Sequence, residues 1–269
     1  MTRTRSPTSR RSWWFLGVTF ALTWGAWGPL AVLTRAATID LEGASGTALL
    51  VLGGSAPAIG AYLAVWRTPE AGSLREFSQR VLRLRNPPAL WVVAVAGATA
   101  LGVASMTVAG LVTEVAWPGE PVATAGRFVG LLATSILFGG IEEIGWRGVL
   151  QPAVTVRCNR LVSANLVIAG VWGLWHLPLF WMVGGAHAEG SFPLFVIAGI
   201  GYSAVMTWLY ARTHSVALCV VFHAGINAAA ASGLAFGPDR TPGFGVQALV
   251  VAIAGIVLLL LAARSRART

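Results

Sequence analysis

Long apolar segments are the feature that most restricts how this chain can fold. Each reaches the roughly 20 residues that an α-helix needs to cross a bilayer. Only helices and closed barrels satisfy every backbone polar group within lipid, and segments of this length match helices. The sequence therefore predicts an all-α, polytopic membrane bundle of about eight transmembrane helices. The segments cover residues 13–34, 46–66, 89–112, 127–150, 161–183, 192–211, 215–235 and 244–263.

The low charge of the chain excludes an ordinary soluble fold. Only 11% of its 269 residues are charged and 56% are hydrophobic, whereas a typical soluble domain has roughly 25% charged residues. We therefore expect one transmembrane helical domain, residues 13–263. It is flanked by a basic N-terminal tail, residues 1–12, and a basic C-terminal tail, residues 264–269.

Arginine placement predicts the orientation of the bundle. A net charge of +9 in a soluble protein would suggest nucleic-acid binding. Here the arginines fall between apolar segments, where they act as orientation signals. An eight-helix bundle collects most of them on one side, which predicts that both termini are cytoplasmic. The arginines on this side are Arg3, Arg5, Arg10, Arg11, Arg67, Arg75, Arg80, Arg83, Arg85, Arg157, Arg160, Arg212, Arg264, Arg266 and Arg268.

The opposite side of the predicted bundle is mainly acidic, with Arg35, Arg127 and Arg240 as its basic residues. The chain uses arginine without lysine and is rich in alanine, which indicates a bacterial genome rich in GC pairs. We therefore expect a multi-pass protein of a bacterial plasma (inner) membrane. The acidic residues on the outer side are Asp40, Glu42, Glu114, Glu120, Glu189 and Asp239.

The longest polar connection, residues 67–88, joins the second and third segments. It spaces apolar residues among arginines in a pattern that fits an amphipathic helix on the cytoplasmic face. A short basic loop is the alternative interpretation. The apolar residues are Leu74, Phe77, Val81 and Leu84.

Two adjacent carboxylates, Glu142 and Glu143, interrupt the fourth apolar segment. An ionised group at the centre of a bilayer costs roughly 2.5–3.5 kcal/mol on insertion scales, so such a pair usually marks a pathway, a relay or a reaction site. On a helix, Glu143 shares a face with Arg147 four residues later, whereas Glu142 is rotated by about 100°. We expect Arg147 to pair with Glu143 and Glu142 to be available as a general base.

Two later segments carry further polar groups. Trp172 and His176 lie four residues apart in the fifth segment, and His223 and Asn227 lie four apart in the seventh. Because residues four apart share a helical face, each pair can project into one cavity. Lipid would not tolerate such groups on an outer face, so we expect them to face the inside of the bundle.

Each cluster also has a purely structural interpretation. A single intramembrane histidine such as His176 often donates a hydrogen bond between helices, and His223 with Asn227 can join helices in the same way. The glutamate pair can lie at a frayed helix end near water. His187 and His214 fall in predicted loops, and we expect them at the surface. The occurrence of all three clusters together favours a functional site.

The three motifs together resemble those of the CPBP family of intramembrane glutamic-type endopeptidases, which includes the CAAX prenyl proteases. They are Glu-Glu-x-x-x-Arg, aromatic-x-x-x-His and His-x-x-x-Asn, and the resemblance covers about residues 127–235. The second motif usually begins with Phe or Tyr, whereas Trp172 begins it here and changes the volume of the pocket. The residues that match the motifs are Glu142, Glu143, Arg147, Trp172, His176, His223 and Asn227.

The resemblance implies a proteolytic mechanism. Glu142, assisted by His176, would activate a water molecule to attack a peptide carbonyl. His223 and Asn227 would donate hydrogen bonds to the developing oxyanion. Glu143, Arg147 and Trp172 would support this site.

No cofactor is predicted, and zinc is the alternative. Glu142, His176 and His223 could hold zinc with an open fourth position, although the chain lacks the His-Glu-x-x-His motif. A non-proteolytic protein is the alternative function. It would be a transporter or a peptide-binding or immunity protein that uses the same polar cluster. We expect Cys158 and Cys219 to be unpaired.

The predicted segment ends leave the depth of the site inconsistent. At about 1.5 Å per helical residue, His176 lies roughly 22–24 Å beyond the cytoplasmic loop near Arg160. Glu142 and His223 lie nearer that loop by the same count. The site can form only if the fifth helix starts late, tilts strongly or is broken near Pro178.

Overall fold

A computed structural model describes residues 7–114, 121–235 and 243–266, and in these ranges the chain is helical without β-strands. The prediction of an all-α fold is confirmed. The connecting 3₁₀ turns cover Pro69–Ala71, Gly140–Glu142 and Leu177–Trp181, and a π-helix covers Trp146–Leu150. The helices are α1 (Pro7–Arg35), α2 (Ala44–Trp66), α3 (Leu74–Val81), α4 (Pro88–Thr113), α5 (Pro121–Leu137), α6 (Glu143–Gly145), α7 (Gln151–Cys158), α8 (Leu161–His176), α9 (Phe192–Thr213), α10 (Val216–Ser232) and α11 (Gly243–Arg266).

Seven helical segments of the described chain are long and apolar enough to cross a membrane. Together with the shorter apolar helix α10, they correspond to the eight predicted segments, and the chain is a multi-pass membrane protein. The helix α1 begins at Pro7, ahead of the predicted residue 13. The seven are Thr8–Arg35, Ala44–Trp66, Pro88–Thr113, Gly126–Cys158, Leu161–Trp181, Phe192–Thr213 and Gly243–Arg264.

Glycines allow neighbouring helices to pack closely. In the parallel pair α9 and α11, a Cβ added at Gly255 would meet the backbone of Gly201. In the antiparallel pair α1 and α2, the indole of Trp27 lies against Gly53 and donates to the carbonyl of Leu50 at 3.1 Å. Small residues are the usual means by which membrane helices approach, because apolar side chains gain little by leaving lipid.

The fourth predicted segment, residues 127–150, corresponds to the span Gly126–Cys158, but this span is not one continuous α-helix. The helix α5 ends at Leu137, and Gly139 adopts φ 144°, a conformation that glycine reaches without a Cβ penalty. The chain then continues through a 3₁₀ turn, α6, the π-helix and α7 to Cys158. A Gly-Gly pair is a known cause of such breaks, and this one lies directly before the glutamate pair.

One end of the bundle collects the arginines, as predicted, and we call it the arginine-rich end. Arg11 near the start of α1 donates to Thr68 Oγ1 at 2.9 Å and to the carbonyl of Gly72 at 2.8 Å. Asn86 before α4 donates to Ser215 before α10 at 3.1 Å. These bonds lie at the loops after α2, α3 and α9, and the first two of these loops carry Arg67, Arg83 and Arg85.

The helix α3 also lies at the arginine-rich end, so the amphipathic-helix interpretation is confirmed over Leu74–Val81. Ser73 and Glu76 form a capping box at its start, and the backbone N–H of Ser73 lowers the pKa of the Glu76 carboxyl. Phe77 is buried against the ring of Tyr62, so the apolar face of α3 packs on the protein.

The other end of the bundle, which we call the opposite end, includes the loops after α1 and α8. Arg35 at the end of α1 donates to the carbonyl of Trp181 at 3.1 Å, and Arg127 in α5 donates to the carbonyl of Ala231 at 3.3 Å. The orientation of the two ends in a membrane stays a prediction. Some residues used in that prediction lie outside the described ranges, namely Arg3, Arg5, Glu120, Asp239, Arg240 and Arg268.

Candidate active site

The two adjacent carboxylates have different partners. Glu143 is fully buried, and its Oε2 accepts a hydrogen bond from Arg147 Nε at 2.7 Å. Its Oε1 is bonded to His223 Nδ1 at 2.8 Å. The predicted pairing of Glu143 with Arg147 is therefore confirmed. A charged arginine and a histidine both hold this carboxylate, which offsets the cost of burying it.

The guanidinium of Arg147, which is bonded to Glu143, also anchors a buried polar network. Its Nη1 donates to Gln151 Oε1 at 3.3 Å, and its Nη2 donates to Ser203 Oγ at 3.1 Å. Thr207 in α9 also accepts from Arg147 at 3.4 Å and donates to Asn165 Oδ1 in α8 at 3.2 Å. The network fixes α7, α8 and α9 around the charged pair, because buried polar groups need partners.

Sequence reasoning missed the members of this network other than Glu143 and Arg147. A usable signal was present, since Arg147 with Gln151 and Ser203 with Thr207 are both spaced by four residues within apolar segments. Polar residues that share a helical face in a membrane helix need polar partners.

Glu142 faces a cavity instead of the network. Its side chain is buried with 6% exposure, and its Oε2 accepts a hydrogen bond from Trp172 Nε1 at 3.0 Å. The donor of this hydrogen bond is Trp172, whereas the resemblance implied His176 as the residue that assists Glu142. A Phe at that motif position would have no hydrogen to donate, and a Tyr would donate from its hydroxyl, so the indole N–H donor is specific to Trp172.

His176 lies at the last position of α8, and a backbone carbonyl of the same helix orients its ring. Its Nδ1 is 2.9 Å from the carbonyl oxygen of Trp172. Because a carbonyl only accepts, Nδ1 carries the hydrogen and Nε2 is left as the acceptor of the neutral ring. The ring packs at 4.2 Å from Trp172, 4.5 Å from Trp175 and 5.0 Å from Phe195.

The depth inconsistency is resolved by the fourth segment. Its helical chain continues to Cys158, beyond the predicted end at residue 150, which moves Glu142 farther from the arginine-rich end. The helix α8 ends at His176, and Pro178 lies in the 3₁₀ turn that follows. The rings of Trp172 and His223 then come within 5.9 Å.

The predicted His223 and Asn227 pair lies on α10 beside the broken segment. Asn227 Nδ2 donates to the carbonyl of Phe138 at 3.5 Å. A Cβ added at Gly139 would collide with the amide of Asn227, so the break at Gly139 gives this side chain its space. His223 Nδ1 is hydrogen-bonded to Glu143, and this bond orients Nε2 toward the cavity.

These groups border one cavity of about 780 Å³. His187, in the loop after α8 and half-buried, also lines it, with its ring 6.4 Å from that of His176. His214 is exposed, as predicted. Glu143 lies behind the wall, and the other predicted site residues line the cavity, namely Glu142, Arg147, Trp172, His176, His223 and Asn227.

The described residues contain no group of three or more His, Cys, Asp or Glu side chains arranged to share a metal ion. The zinc alternative built on Glu142, His176 and His223 is not tested by this geometry and stays a prediction. Cys158 and Cys219 are both free, as expected.

Comparison with known proteins supports the family resemblance. Residues 124–229 match the family described as type II CAAX prenyl endopeptidase Rce1-like. The chain is also similar to the CAAX prenyl protease 2 of Methanococcus maripaludis, with 24% identity over 161 residues. This alignment covers 57% of the chain and 58% of the relative's own length. The resemblance drawn from the three motifs is confirmed.

Proposed function

Because residues 124–229 match the Rce1-like CAAX prenyl endopeptidase family, we propose that the chain is a member of this family and acts as an intramembrane endopeptidase. It hydrolyses a peptide bond of a membrane-associated peptide or protein. The observation that carries the proposal is the unequal bonding of the glutamate pair. Arg147 and His223 hold Glu143, whereas Glu142 borders the cavity with a bond from Trp172.

Glu142 is the base of the proposed reaction. A carboxylate inside a cavity can accept a proton from water and so create the nucleophile for the peptide carbonyl. His176 assists by orienting the water. Its Nδ1 donates to the carbonyl of Trp172, so its Nε2 can accept a hydrogen bond from the second hydrogen of the water. The proton taken from water is then passed to the leaving amine.

His223 and Asn227 stabilise the oxyanion. The amide of Asn227 supplies an N–H, and removal of one such donor in other hydrolases costs about 3 kcal/mol. His223 can donate from Nε2 only when both ring nitrogens carry hydrogen, because Nδ1 is already bonded to Glu143. The ionised Glu143 stabilises that positively charged imidazole, which gives the second glutamate a role distinct from the first.

Comparative proteomics of membrane fractions tests this function. Cells producing the wild-type protein are compared with cells producing Glu142→Gln, which keeps the size of the side chain and removes its basicity. We expect substrates to be shortened only with the wild-type protein and to accumulate on the variant. If the two membrane proteomes show the same peptide termini, the protein is not a protease, and the transporter or peptide-binding alternative is favoured.

Purified protein tests the metal alternative. A validated substrate is digested in the presence and absence of a strong chelator, and the metal content of the active protein is measured. We propose chemistry without a metal, so we expect cleavage to continue with the chelator. Loss of cleavage that is restored by zinc would favour the arrangement of Glu142, His176 and His223 around a metal ion.

A further inference from the structure

We propose that a groove on the outer surface of α1 binds one phospholipid molecule, with an acyl chain in the groove and the phosphate on Arg35. The groove lies between α1 and the 3₁₀ turn Leu177–Trp181, and its volume is about 390 Å³. It is separate from the catalytic cavity, since none of the described residues lines both. The groove is therefore a second site, and its ligand goes beyond the proposed proteolysis.

One face of α1 shapes the groove. Trp24, Gly28, Val32 and Arg35 all line it, and their spacing of three or four residues places them on the same helical face. Gly28 is half-buried, and a Cβ added there would meet no atom within 4 Å. The missing side chain leaves open space between the indoles of Trp24 and Trp181, which are 40% and 47% exposed. A larger residue at position 28 would occupy the groove.

The groove faces the hydrocarbon of the membrane. Its walls belong to the spans Thr8–Arg35 and Leu161–Trp181, and apart from Arg35 its lining residues are apolar or aromatic. An empty groove would lose dispersion contacts along its walls, and in a bilayer the groups that can restore them are acyl chains. The surroundings therefore favour a membrane lipid as the occupant over a water-soluble ligand.

The length of the groove matches one leaflet of the bilayer. Trp24 and Arg35 are eleven residues apart in α1, which corresponds to about 16 Å along a helix. The hydrocarbon core is about 30 Å thick, so one leaflet contributes roughly 15 Å. Arg35 and Trp181 each end a span, where basic and indole groups meet the lipid headgroups. An acyl chain in the groove would therefore run from the headgroup level to the middle of the bilayer.

Arg35 supplies the headgroup contact. Its Nε donates to the carbonyl of Trp181 at 3.1 Å, which fixes the exposed guanidinium at the end of the groove. Within the part of the chain that the structure describes, no acceptor is bonded to its Nη groups. A guanidinium binds a phosphate with two parallel N–H groups. Charge complementarity therefore selects a lipid that carries a phosphate over a neutral lipid with the same chains.

The groove lies against the backbone that holds His176. Trp24 Nε1 donates to the carbonyl of Trp175 at 3.3 Å, and Leu177 and Pro178, which follow His176, line the groove. A bound lipid therefore packs on the turn that ends α8 without entering the catalytic cavity. This position makes the lipid a structural component of the fold and not a substrate.

Native mass spectrometry of the purified, delipidated full chain tests the site. The protein is supplied with dioleoyl phosphatidylglycerol or with dioleoylglycerol, which has the same acyl chains and no phosphate. Arg35→Gln removes the charge, and Gly28→Leu fills the groove. Two variants are matched controls. Arg157→Gln changes an exposed arginine of the arginine-rich end, and Gly17→Leu changes another glycine of α1 that has open space around it.

We expect the wild-type protein and both controls to retain one phosphatidylglycerol and to bind dioleoylglycerol about tenfold more weakly, the scale of one charged hydrogen bond. Arg35→Gln should bind the two lipids equally weakly, and Gly28→Leu should retain neither. Equal affinity of the wild-type protein for both lipids, or retention of phosphatidylglycerol by Gly28→Leu, overturns the site. If Gly28→Leu does not fold, Arg35→Gln decides, because its side chain is exposed; unchanged lipid preference in that variant also overturns the site.

Discussion

The polar groups around Glu143 form more hydrogen bonds than the polar groups around Glu142. On the side of Glu143, the groups of Arg147, Gln151 and Thr207 are buried and joined by hydrogen bonds. On the side of Glu142, the described hydrogen bond comes from Trp172, and the carboxylate borders an open cavity. The difference separates a region that holds the fold together from a region prepared to receive a substrate.

The comparison shows why adjacent residues of one type can have different roles. A fully bonded charge in a low-dielectric interior is stabilised in its ionised form and resists chemical change. A carboxylate beside a cavity retains capacity to accept a proton from water. Variants on the two sides should therefore separate stability from catalysis, and the following predictions are ordered by the size of the expected effect.

Replacement of Glu142 by Gln should have the largest effect on catalysis. Loss of a general base typically costs about 10²–10⁴-fold, so we expect kcat to fall by that factor while the protein remains folded in the membrane. Steady-state kinetics on purified protein measures this change, and Glu114→Gln, at an exposed carboxylate after α4, is the control. Cleavage by Glu142→Gln at the wild-type rate would show that Glu142 is not the base.

Replacement of Glu143 by Gln should lower both stability and activity. Removal of one partner of a buried ion pair costs about 3–5 kcal/mol, because Arg147 would keep its charge without a counter-charge. Activity should fall by about 10²-fold, the scale of one lost oxyanion donor, since His223 would lose the carboxylate that stabilises its charged form. Denaturant unfolding in detergent gives the stability. Unchanged stability would mean that Arg147 is neutralised by another group.

The sequence was sufficient to predict the class of fold and most of the site. The number of apolar segments predicted the bundle, and the spacing of Glu143 and Arg147 predicted their ion pair, because an interaction four residues apart depends only on helix geometry. The motifs also predicted that Trp172, His176 and His223 meet, and their rings are in contact.

The remaining features depend on contacts between distant segments and could not be predicted from local patterns. The lack of space for a Cβ at Gly139 results from the approach of Asn227 on α10, which is 88 residues later in the chain. The lining role of His187 depends on how the loop after α8 folds back over the cavity. The hydrogen bond from Trp172 to Glu142 was not predicted, because Trp172 was considered only for the volume of its side chain.

Asn227 and Asn165 provide a matched test of the two regions, since both are amides on helices. Asn227→Ala removes a proposed oxyanion donor at the cavity, and we expect kcat to fall by about 10²-fold with little change in stability. Asn165→Ala removes the acceptor for Thr207 in the network, and we expect a loss of about 1–3 kcal/mol of stability. If both variants lose stability equally and neither loses kcat, the cavity and the network are not functionally distinct.

Replacement of Trp172 by Phe should have the smallest effect on catalysis and is the sharpest test of the cavity side. Phe keeps a ring to pack against Phe195, which stacks on Trp172 at 5.2 Å, but it has no N–H for Glu142. A hydrogen bond to a charged group contributes about 1.5–3 kcal/mol. Part of this stabilisation is already present in the enzyme–substrate complex, so only the remainder changes kcat. We therefore expect kcat to fall about tenfold with KM unchanged, because Glu142 is less firmly oriented toward the water.

Trp66→Phe, at an exposed indole of the arginine-rich end, should leave both constants unaltered. A rise in KM without a fall in kcat would instead assign Trp172 to substrate binding.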